Sequence, residues 1–140
     1  MKRIQLIVKI FIIVALFFNS CKSEAPAPPT PTPPPVEDKL AFTISPDPGS
    51  SIFAVLGASQ DFTITVGSAL PSAGITASIA VVKELDGSTV FSQNLNSTVP
   101  SFISSIQNLQ NGVVCNVTIT LTSKSTLTNT VSKTFKVARK

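Results

Sequence analysis

Few residues in this chain are of a type to start chemistry. The sequence holds two cysteines, Cys21 and Cys115, seven Asp and Glu residues, and no histidine. Without an imidazole there is no Ser-His-Asp or Cys-His nucleophile system and no histidine-bound zinc, which closes the commonest routes to hydrolysis. The nearest carboxylate pair is Glu84 and Asp86, spaced to share one face of a strand. Asp86-Gly87 is also a strong hairpin signal, and the turn reading is favoured. Asp47, between Pro46 and Pro48, offers oxygen ligands of the kind calcium takes, together with Glu37, Asp38 or Asp61. None of them lies in a loop with the dense Asp spacing of a calcium loop, so they read as turn and cap residues. No spacing sets a serine beside Lys83 or Lys124. The expectation is no catalytic residue, no metal site and no cofactor, and the chain is read as a non-enzyme.

The two cysteines have different surroundings. Cys115 falls on the apolar side of an alternating segment, with no lysine near it in sequence, and is expected to be a small core hydrophobe; pairing with another chain is the alternative. Cys21 follows a leader. Lys2 and Arg3 precede an apolar run from Ile4 to Phe18, broken by Gln5 and Lys9, and Ser20 stands directly before the cysteine. The run is shorter than the roughly 20 apolar residues that cross a bilayer core and carries a lysine, so residues 1–20 read as a secretion signal. Phe18-Asn19-Ser20-Cys21 resembles the lipobox of bacterial lipoproteins, in the looser form found in Bacteroidota. The resemblance implies cleavage between Ser20 and Cys21, a thioether-linked diacylglyceride on Cys21, and a new amino group open to an acyl chain such as palmitate. Two or three acyl chains, at about 0.8 kcal/mol per buried methylene, hold a protein on a bilayer essentially for good. Asn19 and Phe18 depart from the strictest form of the motif. An ordinary cleaved signal with an incidental cysteine is the competing reading.

Charge follows the same division. The formal net charge is +4. Lys2, Arg3 and Lys9 lie in the leader, and its removal leaves eight basic against seven acidic side chains. That gives no basic footprint for nucleic acid. The terminal set Lys133, Lys136, Arg139 and Lys140 reads as a solvated strand end.

Between anchor and domain lies a spacer. Ala25 to Pro35 is eleven residues, seven of them proline. Proline lacks an amide hydrogen and fixes φ, so this stretch favours extended polyproline II, and residues 21–36 would reach roughly 50 Å at about 3.1 Å per residue. A proline-rich ligand for an aromatic groove is the alternative. Lys22-Ser23-Glu24 weakly resembles the charged segments that direct some Bacteroidota lipoproteins outside the cell.

Residues 37–140 carry the elements. Apolar side chains alternate with Ser, Thr and Asn, turn residues punctuate the segments, and no window sustains a helical period, so the class is all-β. Strands are expected at Leu40–Ser45, Ser51–Leu56, Gln60–Val66, Ile75–Lys83, Ser88–Leu95, Ser101–Leu109, Val113–Thr122 and Thr130–Ala138. Val113, Cys115, Val117, Ile119 and Leu121 face one way, against Asn116, Thr118, Thr120 and Thr122. Phe62, Ile64 and Val66, then Phe42 with Ile44 and Phe135 with Val137, repeat the pattern, which requires two sheets to bury their apolar faces together. Ile75, Ala77, Ile79 and Val81 have Ala80 and Val82 on their second face, which predicts a strand covered on both sides. The sequons at Asn96 and Asn116 read as chance, the second lying inside a strand.

Leu109-Gln110-Asn111-Gly112-Val113-Val114-Cys115-Asn116-Val117-Thr118-Ile119, followed by a last strand ending Thr134 to Lys140, resembles the corner and final strands of immunoglobulin-like and fibronectin type III-like domains. The resemblance implies an antiparallel β-sandwich of about seven strands after a helical signal peptide and a Pro-rich linker. Cys115 stands where that pattern usually has a tyrosine, so the tie its hydroxyl would make is expected to be missing. The function expected is a lipid-anchored module of the bacterial cell envelope, on the outer membrane at its surface or periplasmic face, with a structural or protein-binding role and a membrane contact through the lipid on Cys21. Surface glycan binding is the second reading; sugars usually stack on Trp or Tyr, which the chain lacks, and Phe42, Phe62 and Phe135 read as buried.

Overall fold

The computed structural model describes residues 36–140. The strands are β1 (Phe42–Ser45), β2 (Phe53–Val55), β3 (Gln60–Val66), β4 (Ile75–Lys83), β5 (Thr89–Ser97), β6 (Ser101–Ile106), β7 (Val114–Ser123) and β8 (Thr130–Arg139). No helix occurs among the described residues. They form a three-stranded sheet ordered β1-β3-β6 and a five-stranded sheet ordered β2-β8-β7-β4-β5. This is a two-sheet β-sandwich. The expected helical signal peptide and the linker up to Pro35 lie outside the described residues.

The eight strands fall in the eight segments expected. One expectation needs correction: the sandwich is not wholly antiparallel, because β2 runs parallel to β8 with Phe53 opposite Val137 and Val55 opposite Arg139. The chain leaves β1 at Pro46-Asp47-Pro48-Gly49 and crosses from one sheet to the other while travelling in the same direction. Proline cannot donate to a ladder, so β1 stops after four residues.

Alternation explains the rest. Along β7 buried and half-exposed side chains alternate without a break from Val114 to Ser123. Phe62, Ile64, Ile75, Ile79, Ile119 and Leu121 are all at most 1% exposed. Phe62 is the hinge of the core: its ring lies 5.6 Å from Phe53 and 5.3 Å from Phe135, the latter edge-on at 68°. Edge-to-face contact is the preferred geometry of such pairs. β4 differs from expectation on its second face, where Thr76, Ala80 and Val82 are half-buried and Ser78 is exposed. The sandwich has two layers, so among the described residues nothing covers that face; neighbouring side chains on β5 and β7 screen it only from the sides.

The missing tyrosine tie has a substitute. Leu109, buried before β7, donates its N–H to the Ala58 carbonyl at 2.9 Å and accepts from Arg139 Nη1 at 3.3 Å. Gly112 N–H donates to the Arg139 carbonyl at 2.9 Å. An arginine at the end of the last strand thus holds the corner that a phenol would hold.

At the opposite end of the sandwich one side chain clamps the entering chain. Asn129 Oδ1 accepts from Leu40 N–H at 3.0 Å, and its Nδ2 donates to the Asp38 carbonyl at 2.9 Å and to Glu37 Oε2 at 3.2 Å. The Ser123 hydroxyl above all, then Asn129, Ser125 and Thr126, holds the Glu37 carboxyl below its ordinary value.

Candidate functional site

Ser20 and Cys21, the expected cleavage and lipidation residues, lie outside the described residues. The candidates within the domain take the following places.

Glu84 and Asp86 stand in the β4–β5 hairpin but serve different partners. Glu84 Oε1 accepts from Lys136 Nζ on β8. Asp86 Oδ1 accepts from Ser88 N–H at 2.9 Å, and the hairpin is closed by Gly87 N–H donating to the Lys83 carbonyl at 3.0 Å. Gly87 adopts φ +69°, a conformation that favours glycine. Bonds from Ser88 hold the Asp86 carboxyl below its ordinary value. A carboxylate so held is ionised at neutral pH and is a poor proton donor. The two side chains act as a strand tie and a turn cap.

Cys115 is fully buried and free. Burial pushes its thiol above the ordinary value, and Lys83 pulls part of the way back. The lysine is distant in sequence but directly opposite Cys115 in the β4–β7 register, so the expectation of no neighbouring lysine fails in space. The thiol nevertheless packs as an apolar group in the core cluster.

The four residues considered for calcium are dispersed in their contacts. Asp47 Oδ1 accepts from Gly49 N–H at 2.9 Å, and Glu37 belongs to the Asn129 clamp. Among the described residues no three Cys, Asp or Glu side chains gather at a point. Lys124 meets the rest of the domain through its backbone N–H, which donates to the Gly74 carbonyl at 3.0 Å.

Two clefts open on the surface. One, of about 420 Å³, lies where β1 turns away from β8, between Asp47-Pro48-Gly49 and Lys133-Thr134-Phe135. Its ammonium group, Lys133, sits 5.3 Å over the Phe42 ring. Its carboxylate is already capped by Gly49. The other, of about 480 Å³, lies at the end away from Asn129 and is lined by Glu84, Leu85, Gly112, Val113 and Val114. Pairing of β4 with β7 brings these two segments together, with Glu84 N–H donating to the Val114 carbonyl at 2.9 Å. Leu85, 96% exposed at the hairpin tip, is an apolar residue where a turn usually places a polar one. That misplaced leucine was the available signal for a cleft that sequence reasoning passed over.

The six phenylalanines of the described residues are buried or half-buried, so no aromatic ring stands free for a sugar to stack on. No family model matches the chain, and no curated protein matches its sequence.

Proposed function

We propose that this protein is a lipid-anchored β-sandwich module of the bacterial cell envelope, held at the outer membrane through Cys21, with a structural or protein-binding role and no catalysis. The observation that carries the reading is the order of parts: a basic apolar leader ending Phe18-Asn19-Ser20-Cys21, a proline-rich spacer, then one sandwich. A signal, a site for fat and a stiff stalk are the parts an anchored module needs. The carboxylates of Glu37, Asp47, Glu84 and Asp86 support the reading, since they are engaged in a clamp, two turn caps and an ion pair. Surface glycan binding is the weaker alternative, because stacking faces are the chemistry it would call on. The fold by itself argues for no function.

Growth with a labelled fatty acid tests the anchor. Label should enter the wild-type chain and be lost in Cys21→Ser, which should also move from the detergent phase to the aqueous phase. An unlabelled wild type, or a Cys21→Ser variant with an unchanged membrane fraction, would remove the lipid claim. A polysaccharide pull-down that retained the chain would raise the glycan reading above the protein-binding one.

A further inference from the structure

Asparagine followed by glycine is the pair most prone to lose its side-chain amide, because the next backbone nitrogen can reach the amide carbon and glycine has no Cβ to hinder it. The chain has one such pair, Asn111-Gly112, in the corner before β7. Both residues are exposed, Gly112 lines the cleft beside Leu85, and the side-chain space at Gly112 is empty, so water and a forming ring both have room. Gly112 adopts φ +70° in a turn closed by Val113 N–H donating to the Gln110 carbonyl at 3.3 Å. One bond stands against the reaction. The Gly112 N–H is held by the Arg139 carbonyl at 2.9 Å, where Asn111 forms an isolated parallel bridge with Arg139. Arg139 ends β8, and β2 supports that end over three residues only. Every other asparagine of the domain is followed by a residue with a side chain, and Asn94, Asn96 and Asn116 lie within paired strands. Asp86-Gly87 is the nearest analogue, but Lys83 holds its Gly87 N–H inside the hairpin, and Ser88 keeps the Asp86 carboxylate ionised and so a poor electrophile.

We infer that Asn111 is a modification site, converted by water alone to aspartate and isoaspartate, and that the end of β8 gates the conversion by holding the Gly112 amide. The Gly112 nitrogen attacks Cγ of Asn111. The new N–Cγ bond forms as the Cγ–Nδ2 bond breaks, and the Gly112 amide proton leaves with Nδ2 as ammonia. One water then opens the succinimide: attack at Cγ gives aspartate, and attack at the main-chain carbonyl of residue 111 gives isoaspartate. While its proton is bound to Arg139, the Gly112 nitrogen is turned toward β8 and away from Cγ, so the first step waits for a local opening of the kind found at strand ends. Isoaspartate carries the main chain through one extra methylene. That lengthens the corner between Leu109 and Val114 and puts the bonds of Gly112 and Leu109 to Arg139 out of register. Either product adds a carboxylate next to Gly112, at the cleft that Glu84 already lines. The inference rests neither on the anchor nor on a binding role.

The test follows the purified full chain in detergent at mildly alkaline pH, with mass spectrometry to place the amide-to-acid conversion and electron-transfer fragmentation to tell isoaspartate from aspartate. Conversion should appear first at Asn111, and at least about tenfold more slowly in the native chain than in denaturant, since a bond must open first. Hydrogen exchange of the native Gly112 amide should be slowed by the same factor, because both reactions wait for the same opening. A variant lacking Arg139 and Lys140 should convert at close to the denatured rate with unchanged circular dichroism, and Asn111→Ser should abolish the signal. If the shortened chain loses its native spectrum, the agreement between exchange and conversion in the wild type decides alone. Equal native and denatured rates, conversion at Asp86 or another asparagine before Asn111, or slowing of exchange and conversion by different factors would overturn the inference, as would a folded shortened chain that converts no faster than wild type.

Discussion

Cys115 is the residue at which burial and charge oppose each other most directly. Its thiol has Lys83 opposite it, the sort of neighbour that activates a cysteine, yet it is fully buried and burial dominates. Native alkylation should therefore leave Cys115 unlabelled, with rapid reaction only once denaturant unfolds the sandwich; fast native labelling would show that the lysine wins. Cys115→Ser places a hydroxyl without a partner among Val117, Ile119 and Val137 and should cost about 1–3 kcal/mol in denaturant unfolding, whereas Cys115→Ala should cost less than a larger core deletion. The Asn129 clamp has a pH signature of its own. The folded Glu37 carboxyl is held below its ordinary 4.5, so its contribution is present above that value and is lost as pH falls through the folded value. As pH falls through that folded value the Leu40 amide, bonded to Asn129, should lose hydrogen-exchange protection, and Asn129→Ala should remove that protection at every pH. A Leu40 amide equally protected at pH 3 and pH 7 would deny Glu37 any part in the clamp.

At the scale of elements, the packing makes unequal demands. Phe62, on the three-stranded sheet, touches two rings of the facing five-stranded sheet, so Phe62→Ala should cost about 3–5 kcal/mol, while Lys136→Ala, breaking a pair whose side chains are nearly half exposed, should cost under about 1 kcal/mol. Equal losses in thermal unfolding would mean that the core is not centred where the rings are. Gly74 is a sharper case: it adopts φ +80°, and a Cβ there would overlap the Ser97 carbonyl oxygen. Gly74→Ala should cost more than about 1 kcal/mol for both reasons. These elements also show what was readable beforehand. Period-two alternation bounded by turns placed β3 and β4 at their observed limits, because those strands have one buried face and clean breaks. The parallel course of β2 was not readable, since three residues carry no period and their partner β8 is some eighty residues away. Separations of some thirty residues hid Lys83 from Cys115, Leu85 from Val113, and Arg139 from the corner it ties. A motif such as Phe18-Asn19-Ser20-Cys21 can be proposed from local sequence, whereas a cleft exists only after strands pair.

For the whole molecule, topology sets the rate of folding. Most pairings join distant segments: β1 meets β3, β3 meets β6, and β2 meets β8. Sandwiches dominated by such pairings fold in milliseconds to seconds, and refolding of this chain should fall in that range as a single transition followed by circular dichroism. Refolding within microseconds would contradict the order of strands. One further consequence follows from where β8 sits. It comes last among the strands but lies between β2 and β7, and it brings Phe135 and Val137 to the core. A nascent chain stopped anywhere before it would leave β2 with no partner and β7 paired with β4 alone, so the five-stranded sheet cannot be completed ahead of β8. Until β8 has been made, the apolar faces that Phe135 and Val137 cover stay open to water.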